Sequence, residues 1–459
     1  MIKIDSSSLT ATSCPAKKIL TQKVIHPGLL HKINPYNDGA SVLELNYDNW
    51  SSTKVGQKVL IELPDESTET LIVDRIEMEK GRRFLSAHID GQSTDYRMNI
   101  SESNGQLSGK FLTPRSDLLI EQHSNELWLV DPKMAGLNEL DAQQDDALAS
   151  PRPFSSLGIS TGDMSTKMGT TGGAADMSNP TIIDIMILYT QGMVNRLGVD
   201  GTLNRINYLV NAGNQAFFDS HIAIKLRVVH TKLVQYPDTK TIDDTLTDMT
   251  YSAGSIPSIA DVPALRNQYG ADLVMMVRNF SESPSNTVCG LAWIAGSSSL
   301  ESLGYATIHD GTNNGAYCSD YTFVHELSHN MGSIHDRVSE NQSTGAKNGI
   351  YSYSFGYGVY GQFATVMAYA KNYNTTRIGK FSNPELSTCG SGVPCGVSES
   401  ATNSSNNALS LNNRRIYVSQ YRDTKVPLPT PTPSPSSTTT PKPTVNPLAT
   451  PNNDSQCDK

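Results

Sequence analysis

The sequence lacks any stretch near the roughly 18 consecutive apolar residues that a membrane-spanning helix requires. No integral membrane segment is expected. It also lacks a long run of Lys or Arg: 36 basic residues face 45 acidic ones for a net charge of -9, so nothing would track a phosphate backbone and nucleic acid is not an expected partner. Cysteine is scarce, with Cys14, Cys289, Cys318, Cys389, Cys395 and Cys457 the whole set of six. The short Cys389 to Cys395 spacing, in a Gly/Ser/Pro-rich stretch, suits a small disulfide-closed loop rather than a metal clip, which points to an oxidising, extracellular setting. The opening residues MIKIDSSSLTATSC have no apolar leader, so export is not visible in the sequence itself. No internal repeat is present.

What is there divides by composition. At 459 residues two folded units are expected. After an N-terminal tail (1–15), residues 16–135 alternate apolar and polar positions in short runs such as Lys58 to Leu63. Turn signals at Asp90-Gly91 and Asn104-Gly105 punctuate them, which predicts a small antiparallel β domain. Residues 136–178 dissolve into Ala, Asp, Ser, Gly and Thr, the composition of a flexible, protease-accessible connector. Order resumes at Thr181 to Tyr189, a near-continuous apolar run of buried-strand length. Leu203, Ile206, Leu209, Val210 and Phe217 then recur at helical spacing, and strands are expected over Ile222 to Val229, Ala271 to Val277 and Tyr305 to His309, with a helix at Val262 to Tyr269. This predicts an α/β (α+β) domain over 179–424 with a mostly parallel twisted sheet. Residues 425–459 are dominated by Pro, Thr and Ser, a semi-rigid spacer without the means to form a core.

The chemistry is concentrated in His325-Glu326-Leu327-Ser328-His329-Asn330-Met331-Gly332-Ser333-Ile334-His335-Asp336, the pattern HExxHxxGxxHD. Its five rarest fixed positions would coincide by chance on the order of once in 10⁵ chains of this length, so an accidental match is set aside. On a helix, His325 and His329 share one face a turn apart and can aim imidazole nitrogens at one ion, while Glu326, displaced from that face, can act on a water beside it. Gly332 accepts the left-handed conformation that ends a helix, and the turn it permits brings His335 to a third ligand position. Three neutral imidazoles and an open fourth position make one catalytic zinc site, with Glu326 as general base. The other seven histidines have no such spacing.

With those residues in view, the pattern resembles the metzincin clan of zinc metallopeptidases, and the Asp after the third His resembles its reprolysin-like branch. Thr365-Val366-Met367-Ala368-Tyr369, 32 residues beyond His335 at Met367, resembles the Met-turn beneath the metal of that clan. Tyr369 occupies the position from which related subfamilies supply a tyrosine to the zinc or the oxyanion. Over roughly residues 180–424 the chain is similar to bacterial peptidyl-Asp metalloendopeptidases and their secreted reprolysin-like relatives. That resemblance implies a secreted, monomeric zinc endopeptidase acting on protein or peptide substrates and made as a zymogen, with the β domain as its propeptide. Cys14 and Asp163 are candidate latency ligands. It also implies cleavage on the amino side of acidic residues. Of Lys371, Arg377 and Lys380, which follow the Met-turn with no Asp or Glu between Met367 and Pro384, Arg377 is the expected carboxylate partner. The alternatives are a broad-specificity endopeptidase, a zinc hydrolase of another bond, or a proteolytically silent binding protein. Intact Glu326 and histidines argue against the last.

Overall fold

The computed structural model describes residues 15–23, 36, 39–123, 126–140, 147–148, 175–285, 287–294, 301–342 and 349–427. The alternating N-terminal segment folds into nine strands: β1 (Lys17–Gln22), β2 (Ala40–Leu45), β3 (Lys58–Glu62), β4 (Thr68–Glu79), β5 (Arg82–Ile89), β6 (Arg97–Ser103), β7 (Gln106–Leu112), β8 (Asp117–His123) and β9 (Glu126–Val130). A short helix, α1 (Tyr47–Ser52), follows β2. The strands close into a barrel in the order β1-β2-β9-β8-β7-β6-β5-β4-β3, where an open antiparallel domain would leave two edges. Closure comes from the β1–β3 pair, which is parallel, so the β domain is not wholly antiparallel as its alternation predicts. At the β6–β7 turn, Asn104 and Gly105 both take positive φ, as a tight hairpin requires.

Strand period 2 gives the barrel two faces. Leu85, Ala87, Ile89, Met98, Ile100, Leu107 and Phe111 fill the interior. The alternate residues of β5–β7 point outward, yet Phe84, Ser86, Arg97, Asn99, Ser101 and Lys110 are buried as well. They are covered by the C-terminal half of the chain.

That half begins after two short strands, β10 (Asn138–Glu139) and β11 (Ala147–Leu148). Then come β12 (Thr181–Thr190), α2 (Gln191–Asp219), β13 (Ile224–Val234), α3 (Ile242–Thr247), α4 (Val262–Tyr269), β14 (Leu273–Asn279), β15 (Gly290–Trp293) and β16 (Tyr305–Asp310). The six-stranded sheet has the order β11-β15-β16-β14-β12-β13. Its pairs are parallel except β15–β16, so the sheet is mixed, with β15 reversed next to its edge. The strand and helix positions expected from periodicity are occupied within a few residues, and β12, buried at eight of ten positions, shows why its run is continuously apolar. Two stretches of the expected connector are therefore paired strands: β11 lies on β15, and β10 lies parallel to β18 (Ala316–Tyr317), which forms a hairpin with β17 (Thr312–Asn313). Disulfides join Cys289 to Cys318 and Cys389 to Cys395, the second closing the small loop its spacing suggests. Among the described residues no helix is long and apolar enough to cross a membrane.

Candidate metal centre

The motif folds as α5 (Thr322–Asn330), β19 (Ile334–Asp336) and α6 (Arg337–Gln342). Every residue of α5 is buried, packed between α2 and the sheet. Gly213 of α2 allows this approach, since a Cβ there would lie 3.1 Å from Val324 Cβ. Asn330 fixes the end of the helix by donating from its amide to the carbonyls of Trp293 (2.9 Å) and Tyr305 (3.0 Å). The helix stops where the sequence predicts. Gly332 has φ 97°, its N–H bonds to the His329 carbonyl at 2.9 Å, and the turn returns His335 to the two helical histidines.

His325, His329 and His335 are each at most 2% exposed, and their ligand atoms lie within 4.8 Å of one another. Each ring is oriented through Nδ1. His325 Nδ1 donates to the Val366 carbonyl (2.8 Å), His329 Nδ1 to the Ser333 carbonyl (2.8 Å), and His335 Nδ1 to Glu340 Oε1 (3.0 Å). Because carbonyls and a carboxylate only accept, Nδ1 carries the proton in all three rings and each Nε2 presents a lone pair. His329 Nε2 stands 3.0 Å from His325 Nε2 and 3.1 Å from His335 Nε2. Lone pairs this close repel unless a cation lies among them, and tetrahedral ligands about 2.0–2.1 Å from one ion would sit about 3.3 Å apart. The donor set fits a divalent metal with an open position.

Glu326 is fully buried beside this cluster. Its carboxylate packs over Gly290 of β15, where an added Cβ would lie 2.3 Å from Oε1, so any larger residue would displace the carboxylate. A small cavity is lined by His325, Glu326, Thr322, Tyr369 and Arg377 together with Glu139 and Leu140 of the β10 segment. The Tyr369 hydroxyl is 3.0 Å from His335 Nε2, and Met367 is buried next to the carbonyl that orients His325. Arg377 is 6% exposed. The structure thus brings together His325, Glu326, His329, His335, Met367, Tyr369 and Arg377, seven of the residues singled out from the sequence. Of the two lysines named with Arg377, Lys371 lines a separate cleft with Asn138, Glu139 and Ala316, and Lys380 pairs with Asp95 of the barrel. Cys14 and Asp163 lie outside the described residues.

Three supporting residues were not foreseen in these roles. Asp336, noted only as a branch signature, is fully buried and organises the segment on both sides. Its Oδ1 accepts from the N–H groups of Val338 and Ser339 (3.0 and 3.1 Å), capping α6, and from the Tyr373 hydroxyl (2.8 Å). Its Oδ2 accepts from the Tyr369 N–H at 3.2 Å, tying the Met-turn segment to the third histidine. Burial, then the Asp336 carboxylate, pushes the Tyr373 hydroxyl far above its ordinary pKa, so it remains a donor. Glu340 and Gly290 carry no motif signal. Their roles appear only when the fold places them against His335 and Glu326.

Comparison with known proteins agrees with this geometry. Residues 179–401 match the model of the metallo-peptidase family M12B, Reprolysin-like. A peptidyl-Asp metalloendopeptidase of Pseudomonas aeruginosa is 31% identical over 265 residues, covering 55% of this chain and 42% of that protein. One from Xanthomonas campestris pv. campestris is 23% identical over 283 residues, covering 61% and 63%. The chain thus spans less than two thirds of either relative. Among solved structures, metalloproteinase-II from Bacteroides fragilis superposes with a TM-score of 0.38 at 11% identity, covering 67% of this chain and 84% of that one. On the sequence match and the histidine cluster together, residues 179–401 of this chain are similar to a reprolysin-like metallopeptidase domain of family M12B.

Proposed function

We propose that the chain is a secreted zinc endopeptidase made in latent form, which cuts peptide bonds on the amino side of acidic residues. The observation that carries this reading is the convergence of three Nε2 lone pairs beside the buried carboxylate of Glu326. His325, His329 and His335 would hold the zinc, which when bound supplies an acidified water and a polarised scissile carbonyl. Glu326 takes the proton of the attacking water and returns it to the leaving amine. The Tyr369 hydroxyl, 3.0 Å from His335 Nε2, would donate to the developing oxyanion. Met367 forms the apolar floor.

Arg377 lines the same cavity, which at about 10 Å³ holds no more than a water while Glu139 and Leu140 line it, and it would receive the acidic side chain that follows the scissile bond once that segment has left. A guanidinium in a partly dry pocket binds a carboxylate through charge-assisted bonds worth about 1.5–3 kcal/mol, roughly a tenfold to hundredfold preference. Both relatives are named peptidyl-Asp metalloendopeptidases, which supports that substrate class. Latency is supported by the barrel packed on the catalytic half and by β11 on the sheet edge, and export by the two disulfides.

Two measurements test the reading. Glu326→Ala should keep zinc content near one per chain and lose nearly all peptidase activity, whereas His329→Ala should lose zinc too. Wild-type turnover by Glu326→Ala would sink the mechanism. Matched peptides with Asp, Asn or Leu after the scissile bond should be cut with the Asp peptide favoured, and Arg377→Ala should abolish that ratio. Equal cleavage of Leu and Asp would make the enzyme a broad-specificity endopeptidase.

A further inference from the structure

We infer that the barrel and the catalytic half form a docked pair independent of the chain linking them, so that cutting the connector leaves the barrel bound. This inference rests on the latent-enzyme reading for its consequence, not for its geometry. The barrel has an interior of its own, built only from residues between Ile19 and Leu129. Its hold on the catalytic half comes from side chains far away in sequence. Lys380 Nζ lies 2.6 Å from Asp95 Oδ1, with both side chains only 1% exposed, and the Gly390 N–H donates to Asp95 Oδ2 at 2.9 Å. Arg97 Nε lies 3.0 Å from Asp219 Oδ2, with the side chains 5% and 7% exposed. Phe84 of β5, on the outer face of the barrel, joins the core formed by α2, α5 and the sheet.

Apolar anchors of this kind drive association, while fully desolvated ion pairs fix the register and reject mismatched surfaces. When the halves separate, both ions rehydrate, so each pair adds little net affinity. When only one partner is removed, the other stays buried without its counter-ion, and the loss is large. The Asp95 pair is also close to the chemistry. Lys380 carbonyl accepts from Val366 N–H at 2.8 Å, and the Val366 carbonyl orients His325. The catalytic face around Lys380 and Asp219 is therefore a docking site whose partner is the barrel itself, and release is a second step after cleavage.

The test uses the full chain with a site for a sequence-specific protease placed between Gly172 and Gly173, in a Glu326→Ala background for binding and the native background for activity. After cutting, the two fragments should co-elute one to one at micromolar concentration. Asp95→Asn and, independently, Arg97→Met should weaken the association about 10²- to 10³-fold. Far-ultraviolet circular dichroism of the uncut variants matching that of the uncut wild type excludes misfolding. Separate elution of the cut wild-type fragments would overturn the inference, as would co-elution unchanged by both substitutions. Co-elution with full activity of the native-background chain would uphold the docking and sink the latency reading alone.

Discussion

The three imidazoles are held by unequal partners: backbone carbonyls orient His325 and His329, but His335 donates to a carboxylate. A carboxylate behind an imidazole raises its basicity and fixes its tautomer, and loss of such a partner costs about 10- to 100-fold in metal affinity. Glu340→Ala should accordingly raise the zinc dissociation constant by that factor in a chelator competition. Glu340→Gln, which keeps an acceptor without the charge, should fall between it and wild type. Affinities unchanged in both variants would remove Glu340 from the metal site. The ligands, Glu326 and Gly332 were legible in the sequence because a helical turn imposes their spacing. Glu340 was not. Its position five residues after His335 becomes meaningful only once Asp336 caps α6 and fixes where its side chains point.

Helix α2 shows what periodicity reveals and what it hides. Ile206, Leu209, Val210 and Phe217 mark the stripe that packs on the sheet and α5, and they were readable as such. Asn204, Asn207, Asn211 and Gln215 form a second stripe that looks solvated in the sequence, yet it is buried against the barrel, and the Asp219 side chain that continues it is only 7% exposed. Asn204 is typical, accepting from Ser101 Oγ and donating to the carbonyls of Ser101 and Gln106. Polar residues that satisfy each other across an interface leave no hydrophobic trace. Another buried polar clamp joins three elements: Asp272, just before β14, accepts from Asp184 N–H of β12 at 2.8 Å and from Arg422 N–H beyond α7 (Asn407–Val418) at 3.1 Å. Burial raises its pKa from 3.8 to about 7, against the lowering effect of those two bonds. Between pH 4 and 7 the folded state thus keeps a proton that the unfolded state has lost, and stability falls as pH rises. The slope reaches at most about 1.4 kcal/mol per pH unit. In the inactive Glu326→Ala background, urea midpoints of wild type and Asp272→Asn, which removes this titration, should diverge over that window in favour of the variant. Curves that stay parallel would show that Asp272 titrates normally.

At the scale of the whole molecule, the barrel and the catalytic half were separable by composition, but their relation to each other was not. The connector reads as flexible from its small polar residues, and closure of the barrel by one parallel pair has no periodic signature. Yet β11 occupies the edge of the catalytic sheet, with Ala147 opposite Ala292 and Leu148 opposite Trp293. An edge strand is a row of unpaired N–H and C=O groups, the surface on which an extended peptide adds as a further strand. Because β15 begins at Gly290, over which Glu326 packs, a peptide paired along it would pass beside the catalytic carboxylate. On the proposed reading, the chain's own β11 would compete with substrate for that edge, and latency would follow from pairing as well as from the barrel's bulk. Leu148→Pro removes a backbone donor and clashes with continued pairing, without touching the catalytic half. One lost backbone bond is worth about 1 kcal/mol, so basal peptidase activity of the intact, uncut chain should rise about fivefold. Activity of the chain freed of its barrel should match wild type. If intact Leu148→Pro is no more active than the intact wild type, β11 does not restrain the site, and latency must come from another part of the chain.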